Sequence, residues 1–175
     1  MFLNKIKLFL VISICLIFLS LTNIDVESQE VKLISGVAKV IDGDTIRIKN
    51  KKIRLFGIDA PEKKQKCRKP WLTILFLTFN KDYPCGEIST LKLKQKINDK
   101  FVTCKSTNLD RYKRFIAECF KNKTNINKWM VRNGYAVAYK KYSKKYLASE
   151  NLAKNDKLGL WIGTFQMPWE WRKEN

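Results

Sequence analysis

The chain has 175 residues, 45% of them hydrophobic, so it is long enough for one domain with its own core. Its 35 lysines and arginines outnumber 16 acidic residues, and the formal charge of +19 favours a polyanionic partner: nucleic acid, an anionic membrane or an acidic polysaccharide. The sequence contains no histidine, which excludes Ser-His-Asp and Cys-His catalysis and histidine-ligated zinc. Any catalysis must therefore use carboxylates, lysines, tyrosines, arginines or a bound metal ion.

The first 28 residues have the pattern of a secretory signal peptide. Two lysines precede an apolar run over residues 8–21, which is short for a membrane span, and a polar stretch follows it. We predict cleavage after Ser28, export of the chain to the periplasm or the medium, and a single domain over residues 29–175. The alternative is an uncleaved segment that anchors the chain in a membrane.

The cysteines beyond this segment predict two disulfides. Four cysteines remain there, and an even number in an exported chain favours paired thiols over free ones. Of the three possible connectivities we expect Cys67–Cys85 and Cys104–Cys119, which close two short loops. A zinc site built from all four thiolates is the competing idea, but no C-x-x-C spacing is present.

Strand and helix signals are both present in the predicted domain. Apolar patterns predict strands at residues 37–41, 45–48, 53–58, 101–104 and 115–120. Helical spacing of apolar residues predicts helices at residues 87–98, 125–133 and 143–157. Strands that precede most of the helices predict an α+β fold built on a small barrel.

The hairpin formed by the second and third predicted strands brings acidic residues together. A two-residue turn at positions 50–51 sets a register in which Asp44 lies opposite Gly57. Asp59 lies two residues further on the same face, so two carboxylates converge where the glycine leaves space. Clustered carboxylates in so basic a chain indicate a cation site, and hard divalent ions prefer oxygen ligands. The alternative is that residues 42–44 only form a turn.

Three ordered motifs resemble those of the staphylococcal nuclease (thermonuclease) family. They are VIDGDT at residues 40–45, RLFGIDAPE at residues 54–62 and DRYKR at residues 110–114. The C-terminal GLWIGTF and the Trp-Arg pair at residues 171–172 resemble the exported bacterial branch of that family. The resemblance covers the chain from about residue 36 to its end. It implies a five-stranded OB-like β-barrel with three helices.

The resemblance also implies an activity and a metal. The activity is calcium-dependent cleavage of phosphodiester bonds in DNA and RNA, which leaves 3′-phosphate ends. Asp44 and Asp59 match the carboxylate ligands of the metal, and the carbonyl of Ala60 matches a backbone ligand. The family usually has threonine at this last position, and alanine should be tolerated because the contact uses the carbonyl.

Three further residues match the catalytic groups of the family. Arg54 and Arg114 match two arginines that bind the phosphate, and Glu62 matches the general base or the group that orients the water. Negative charge builds on the phosphate oxygens as water attacks, and two guanidinium groups can stabilise it. Two features are in tension with this match. The hairpin register puts Arg54 on the face opposite Asp44, which calls for a bulge or strong twist, and Lys113 replaces a common glycine.

Basic and aromatic residues are interleaved in two segments of the chain. Cations that hold phosphates beside rings that stack on bases are typical of sites for single strands. By resemblance, Tyr112 and Tyr139 lie near the bound nucleotide, with Arg111 and Lys140 as neighbouring cations. The alternative is a solvated lysine-rich surface whose tyrosines fill the core.

One uncharged segment departs from the usual pattern of the family. Residues 71–79, WLTILFLTF, lie between Cys67 and Cys85, where the family usually has a shorter polar loop. Strong β-propensity and the absence of charge make this segment an aggregation risk if exposed. An added strand, a membrane or partner contact, and a cap on the core are all compatible with it. We expect packing on the core, because apolar residues are usually buried.

The leading interpretation is an exported, metal-dependent nuclease for DNA and RNA that favours single-stranded or frayed regions. The first alternative is a non-catalytic nucleic-acid-binding module on the same barrel. Such a module would have no reason to retain the complete set Asp44, Arg54, Asp59, Glu62 and Arg114. A binder of membrane surfaces or anionic glycans is supported by the charge alone.

Overall fold

The structure is a computed structural model that describes residues 31–175. The predicted signal peptide and its cleavage site fall on residues 1–30 and lie outside the described part. In the described part, no helix combines the length and the apolar character that crossing a membrane requires.

Strands dominate the first part of residues 31–175, and helices the last part. The strands are β1 (Lys32–Val40), β2 (Thr45–Ile48), β3 (Lys51–Leu55), β4 (Ile58–Asp59), β5 (Cys67–Ile74), β6 (Leu77–Tyr83), β7 (Phe101–Leu109), β8 (Phe115–Lys121), β9 (Thr124–Asn125) and β10 (Val137–Ala138). The helices are α1 (Cys85–Ile97), α2 (Ile126–Arg132), α3 (Leu147–Asn155) and α4 (Pro168–Glu174), with a 3-10 turn at Gly159–Ile162.

Five strands form a closed barrel at the centre of the fold. The order is β3-β2-β1-β7-β8 with antiparallel neighbours, and β3 closes the barrel by pairing in parallel with β8. Apolar residues at alternate positions point inward, and Ile46, Ile48, Ile53 and Val102 are fully buried. The predicted α+β class and OB-like barrel are confirmed.

The hairpin between β2 and β3 turns one residue earlier than predicted. Ile48 pairs with Lys51, and Ile46 pairs with Ile53. The turn therefore lies at residues 49–50, and the predicted partners Ile48–Ile53 and Asp44–Gly57 are wrong. Both registers keep the same side chains on the inner face, so the apolar pattern could not distinguish them.

The three predicted helices are present as α1, α2 and α3, with shifted ends. α2 begins after Asn125, whose side chain accepts the N–H of Lys128 at 2.9 Å, as an N-cap does. α3 begins at Leu147 instead of residue 143, because the preceding residues form turns closed on the carbonyl of Tyr139. α4 was not predicted; it begins with Pro168, the residue type favoured in a first helical turn.

Both predicted disulfides are formed. Cys67 is bonded to Cys85 and ties the start of β5 to the start of α1. Cys104 is bonded to Cys119, and the two residues are direct cross-strand partners in β7 and β8. All four thiols are used in these bonds, which removes the zinc alternative and is compatible with an exported protein.

The segment at residues 71–79 is not packed on the core, and that prediction is wrong. It forms the outer part of an antiparallel hairpin of β5 and β6, whose turn is Leu75 and Phe76. Each of these two residues is 88% exposed. At its base β5 also bonds to Thr164 through Arg68, but over residues 71–79 the two strands pair only with each other, so the apolar side chains there have no second layer to cover them.

Candidate active site

A buried arginine joins the two predicted metal-binding carboxylates. Arg54, in β3, donates from Nη1 to Asp44 and from Nη2 to Oδ1 of Asp59 at 2.5 Å. Asp59 is fully buried and Asp44 nearly so. Burial lowers the pKa of Arg54, while the charge of Asp59 opposes that change. Arg54 therefore offsets one of the two negative charges at the end of the barrel, and the three groups together keep a formal charge of 1 − 2 = −1.

The turn between β1 and β2 sets the position of Asp44. The side chain of Asp42 accepts the N–H of Asp44 at 3.1 Å, and a side chain on Gly43 would have its Cβ 2.3 Å from Oγ of Ser89. Residues 42–44 therefore do form a turn, as the alternative to a cation site stated. Asp44 precedes β2, so the alternation of side chains along a strand does not fix the direction of its side chain. Arg54 therefore contacts Asp44, although the predicted register placed the two residues on opposite faces.

The other carboxylate oxygen of Asp44, Oδ2, bonds to the backbone. It accepts the N–H of Ala60 at 2.8 Å. This bond links Asp44, in the first motif, to Ala60, whose carbonyl is the third predicted metal ligand. Ala60 is itself buried. The structure therefore brings Asp44, Asp59 and Ala60 together.

A second arginine, which the sequence reasoning did not identify as a site residue, reaches the cluster from α4. Arg172 donates from Nη2 to Oδ2 of Asp59 at 2.8 Å and from Nη1 to Oδ1 of the same residue at 3.1 Å. Its Nη1 also contacts Oε1 of Glu62 at 2.7 Å. Burial tends to lower the pKa of Arg172, but hydrogen bonds to Asp59 and Glu62 outweigh it and raise that pKa. Arg172 thus joins the predicted base to the carboxylate cluster.

Arg114 lies in the loop between β7 and β8 and has a different ion partner. Its Nε donates to Oδ2 of Asp110 at 2.7 Å, and its backbone N–H donates to the other carboxylate oxygen at 2.9 Å. Lys113, directly before it, has φ of 60°, the region where a glycine is less strained. Burial raises the pKa of Asp42, and hydrogen bonding with Thr45 and the charges of Arg54 and Arg114 oppose that change. Among the described residues, Arg114 pairs with Asp110 and makes no ion pair with Asp44, Asp59 or Glu62.

The predicted nucleotide-binding residues divide into two groups. Tyr112 is exposed in the same loop as Arg114, and the guanidinium of Arg111 lies 4.8 Å from its ring centroid. Tyr139 lies beside the carboxylates: burial raises its pKa, and the charge of Asp59 adds to that effect. Lys140 is exposed, and its ammonium pairs with Glu150 at 3.9 Å.

Tyr139 has a stacking partner that the sequence did not indicate. The ring of Trp169, in α4, lies parallel to it with centroids 5.3 Å apart. Together with Arg172, this contact makes α4 a cover over part of the site. The only sequence signal was the resemblance of residues 171–172 to one branch of the family, because spacing along the chain does not show which residues meet across the fold.

The donor atoms of this cluster fit a hard divalent cation. One guanidinium contacts both Asp44 and Asp59, so the two carboxylates are close enough to share one ion. Arg54 and Arg172 are the cationic partners of these buried carboxylates in the structure. Calcium, which accepts carboxylate, carbonyl and water oxygens in a flexible geometry, would compete with the arginines for the same oxygens. Among the described residues, no three His, Cys, Asp or Glu side chains are gathered for a metal. Further ligands would therefore come from the backbone and water.

Comparisons with known proteins show what this chain is similar to. The family model described as staphylococcal nuclease homologue matches residues 52–163. An uncharacterized endonuclease of Escherichia coli O157:H7 is 35% identical over 144 residues, which cover 78% of this chain and 82% of that protein. An uncharacterized endonuclease of Haemophilus influenzae is 34% identical over 79% of this chain and 72% of its own length. The succinoglycan biosynthesis protein ExoI of Rhizobium meliloti is 34% identical over 73% of this chain, and the match spans only 64% of that protein.

Proposed function

Because the chain belongs to the staphylococcal nuclease family, we propose that it is an exported nuclease that hydrolyses DNA and RNA in a calcium-dependent reaction. The products carry 3′-phosphate ends. One observation carries the proposal: Arg54 contacts both Asp44 and Asp59, while Arg172 joins Asp59 to Glu62. The contacts support the proposal because the residues proposed as cation ligands, phosphate-binding arginine and base lie together.

The proposed roles follow from the chemistry of each group. Asp44, Asp59 and the carbonyl of Ala60 would hold a calcium ion, which would supply Lewis-acid stabilisation of the phosphate. Glu62 accepts the proton of the attacking water or orients that water. Arg54 and Arg114 stabilise the charge that builds on the phosphate oxygens, since a guanidinium group can bind two oxygens at once.

Substrate is held by the residues around this centre. Tyr112 and Tyr139 offer rings to the bases, and Arg111 and Lys140 offer cations to the phosphates. Stacking requires unpaired bases, so single-stranded or frayed regions are the preferred substrate. The two disulfides support the export of the protein, because such bonds persist in oxidising compartments.

Digestion of single-stranded DNA, plasmid and RNA, followed by analysis of the product ends, tests this proposal. We expect cleavage of all three substrates, with 3′-phosphate ends, and a loss of roughly 10²–10⁴-fold in rate for Glu62→Gln. The matched control is Glu87→Gln, which makes the same change at an exposed position of α1. Binding without cleavage under every cation condition would favour the nucleic-acid-binding module instead.

A further inference from the structure

The exposed hairpin of β5 and β6 has an apolar end and a cationic base. Its outer nine residues, 71–79, contain no charge, and every apolar side chain among them is at least 43% exposed. The segment from residue 63 to residue 83 holds six lysines and arginines and one aspartate, so its formal charge is 6 − 1 = +5. The cations are Lys63, Lys64, Lys66, Arg68, Lys69 and Lys81.

The apolar residues are concentrated on one face of the hairpin. Leu72 pairs with Phe79 and Ile74 pairs with Leu77, so these four side chains share a face. The opposite face carries a threonine pair whose hydroxyls lie 3.3 Å apart. At the turn, Leu75 and Phe76 project beyond both strands. The hairpin is therefore amphipathic along its length and across its width.

The boundary between the apolar end and the base is marked by a pair of like charges. Lys69 and Lys81 are direct cross-strand partners, and Lys81 continues the face that carries Phe79 and Leu77. Like charges opposite one another destabilise a strand pair. An anion bound between Lys69 and Lys81 would offset the repulsion between the two ammonium groups.

We propose that this hairpin docks the protein on an anionic lipid bilayer, with its turn inserted among the lipids and its lysines among the headgroups. The dimensions agree with such an arrangement. Three residues of strand separate Leu72 from the turn, about 10 Å at ~3.4 Å per residue, and interfacial elements insert roughly 5–10 Å. The flexible side chains of Lys69 and Lys81 then reach phosphate groups at the surface.

Charge favours this occupant over the two others that an apolar surface attracts. A second copy of the chain would bring another +5 base against the first, and the repulsion opposes pairing. Nucleic acid would match the cationic base and could stack on the exposed rings of Trp71, Phe76 and Phe79. The other four apolar side chains of the uncharged end are aliphatic and offer no stacking face: Leu72, Ile74, Leu75 and Leu77. A bilayer with anionic headgroups matches both parts.

Sedimentation of the full chain with vesicles tests the proposal. The vesicles contain two parts phosphatidylcholine and one part phosphatidylglycerol, and phosphatidylcholine alone is the comparison. Removing the apolar turn with Leu75→Ser and Phe76→Ser should weaken binding to the anionic vesicles roughly tenfold to a hundredfold. The matched control is Leu33→Ser with Phe101→Ser, which removes the same residue types, both 62% exposed, from the barrel. Unchanged nuclease activity on soluble DNA would show that each variant is folded.

A second measurement detects insertion of the hairpin turn into the bilayer directly. A Phe76→Trp variant adds a fluorophore at the turn, and brominated lipids should quench the added emission in anionic vesicles. Lys69→Gln with Lys81→Gln should reduce both the affinity and its dependence on salt. Absence of quenching at position 76 would overturn the proposal. So would a finding that the turn variant loses self-association or DNA affinity while its vesicle binding equals that of the parent.

Discussion

Asp59 is the residue on which the charges of the candidate site converge. It is fully buried and receives hydrogen bonds from two arginines, Arg54 and Arg172. A buried ion pair that loses one partner leaves an uncompensated charge, which costs about 3–5 kcal/mol. Substitutions that keep the positive charge therefore separate catalysis from folding more cleanly than neutral ones.

Arg54→Lys and Arg114→Lys should each reduce turnover strongly and leave the protein folded. Lysine keeps the charge but loses the planar pair of donors. A donor aimed at charge that develops in the reaction contributes about 3 kcal/mol, or roughly a hundredfold in rate. The measurement is kcat for each variant, with the melting temperature and substrate Kd beside it. If Arg114→Lys alone is silent, the ion pair with Asp110 holds that arginine away from the reaction.

Arg172→Gln should bind calcium more tightly than the parent in the absence of nucleic acid. Both oxygens of Asp59 accept hydrogen bonds from Arg172, so a cation at Asp59 must replace these contacts and overcome the repulsion of the guanidinium. Isothermal titration calorimetry measures the change, which we expect to be severalfold or more in Kd. Arg132→Gln, which removes the arginine of a surface ion pair with Asp156, is the matched control. Equal calcium affinities of the parent, Arg172→Gln and Arg132→Gln would contradict the competition between Arg172 and calcium for Asp59.

At the scale of elements, α1 supports the backbone that carries Glu62. A Cβ added to Gly86, at the start of α1, would lie 1.8 Å from the carbonyl oxygen of Glu62. The disulfide of the neighbouring Cys85 holds the helix at this place. The close contact between helix and loop therefore sets the position of the proposed base.

Gly86→Ala should lower both stability and turnover. Alanine is favoured over glycine inside a helix by about 1 kcal/mol, so helix propensity alone predicts the opposite change in stability. The clash with backbone atoms must push the Glu62 loop away, and we expect kcat to fall more than substrate affinity. Glu87→Ala, at the exposed next position, serves as the control. A more stable and fully active Gly86→Ala protein would show that the loop moves freely.

The sequence predicted the strands and helices better than it predicted which residues contact one another across the fold. Alternating apolar residues located the barrel strands, and the motifs identified the cluster of Asp44, Arg54 and Asp59. Arg172 was missed because it lies 113 positions from Asp59 and meets it only through the docking of α4. Burial of residues 71–79 was wrongly predicted because apolar composition does not show whether a second layer exists to cover a strand pair.

At the scale of the whole molecule, the formal charge of +19 should govern substrate affinity. Binding to a polyanion releases counterions, and each phosphate contact adds about 0.7 to the slope of log affinity against log salt for single strands. We expect a steep fall in affinity for single-stranded DNA as salt is raised, measured by fluorescence anisotropy with Glu62→Gln to prevent cleavage. A flat dependence would mean that the cationic residues do not face the bound strand.

The most direct test of the account is the rate of DNA hydrolysis in calcium, in magnesium and after exhaustive chelation. Two carboxylates and a backbone carbonyl suit the larger, more flexible coordination of calcium better than the strict octahedron of magnesium. We expect rapid cleavage in calcium, poor cleavage in magnesium and none with chelator. Equal rates in calcium and in chelator would contradict the assignment of Asp44 and Asp59 to a catalytic cation site.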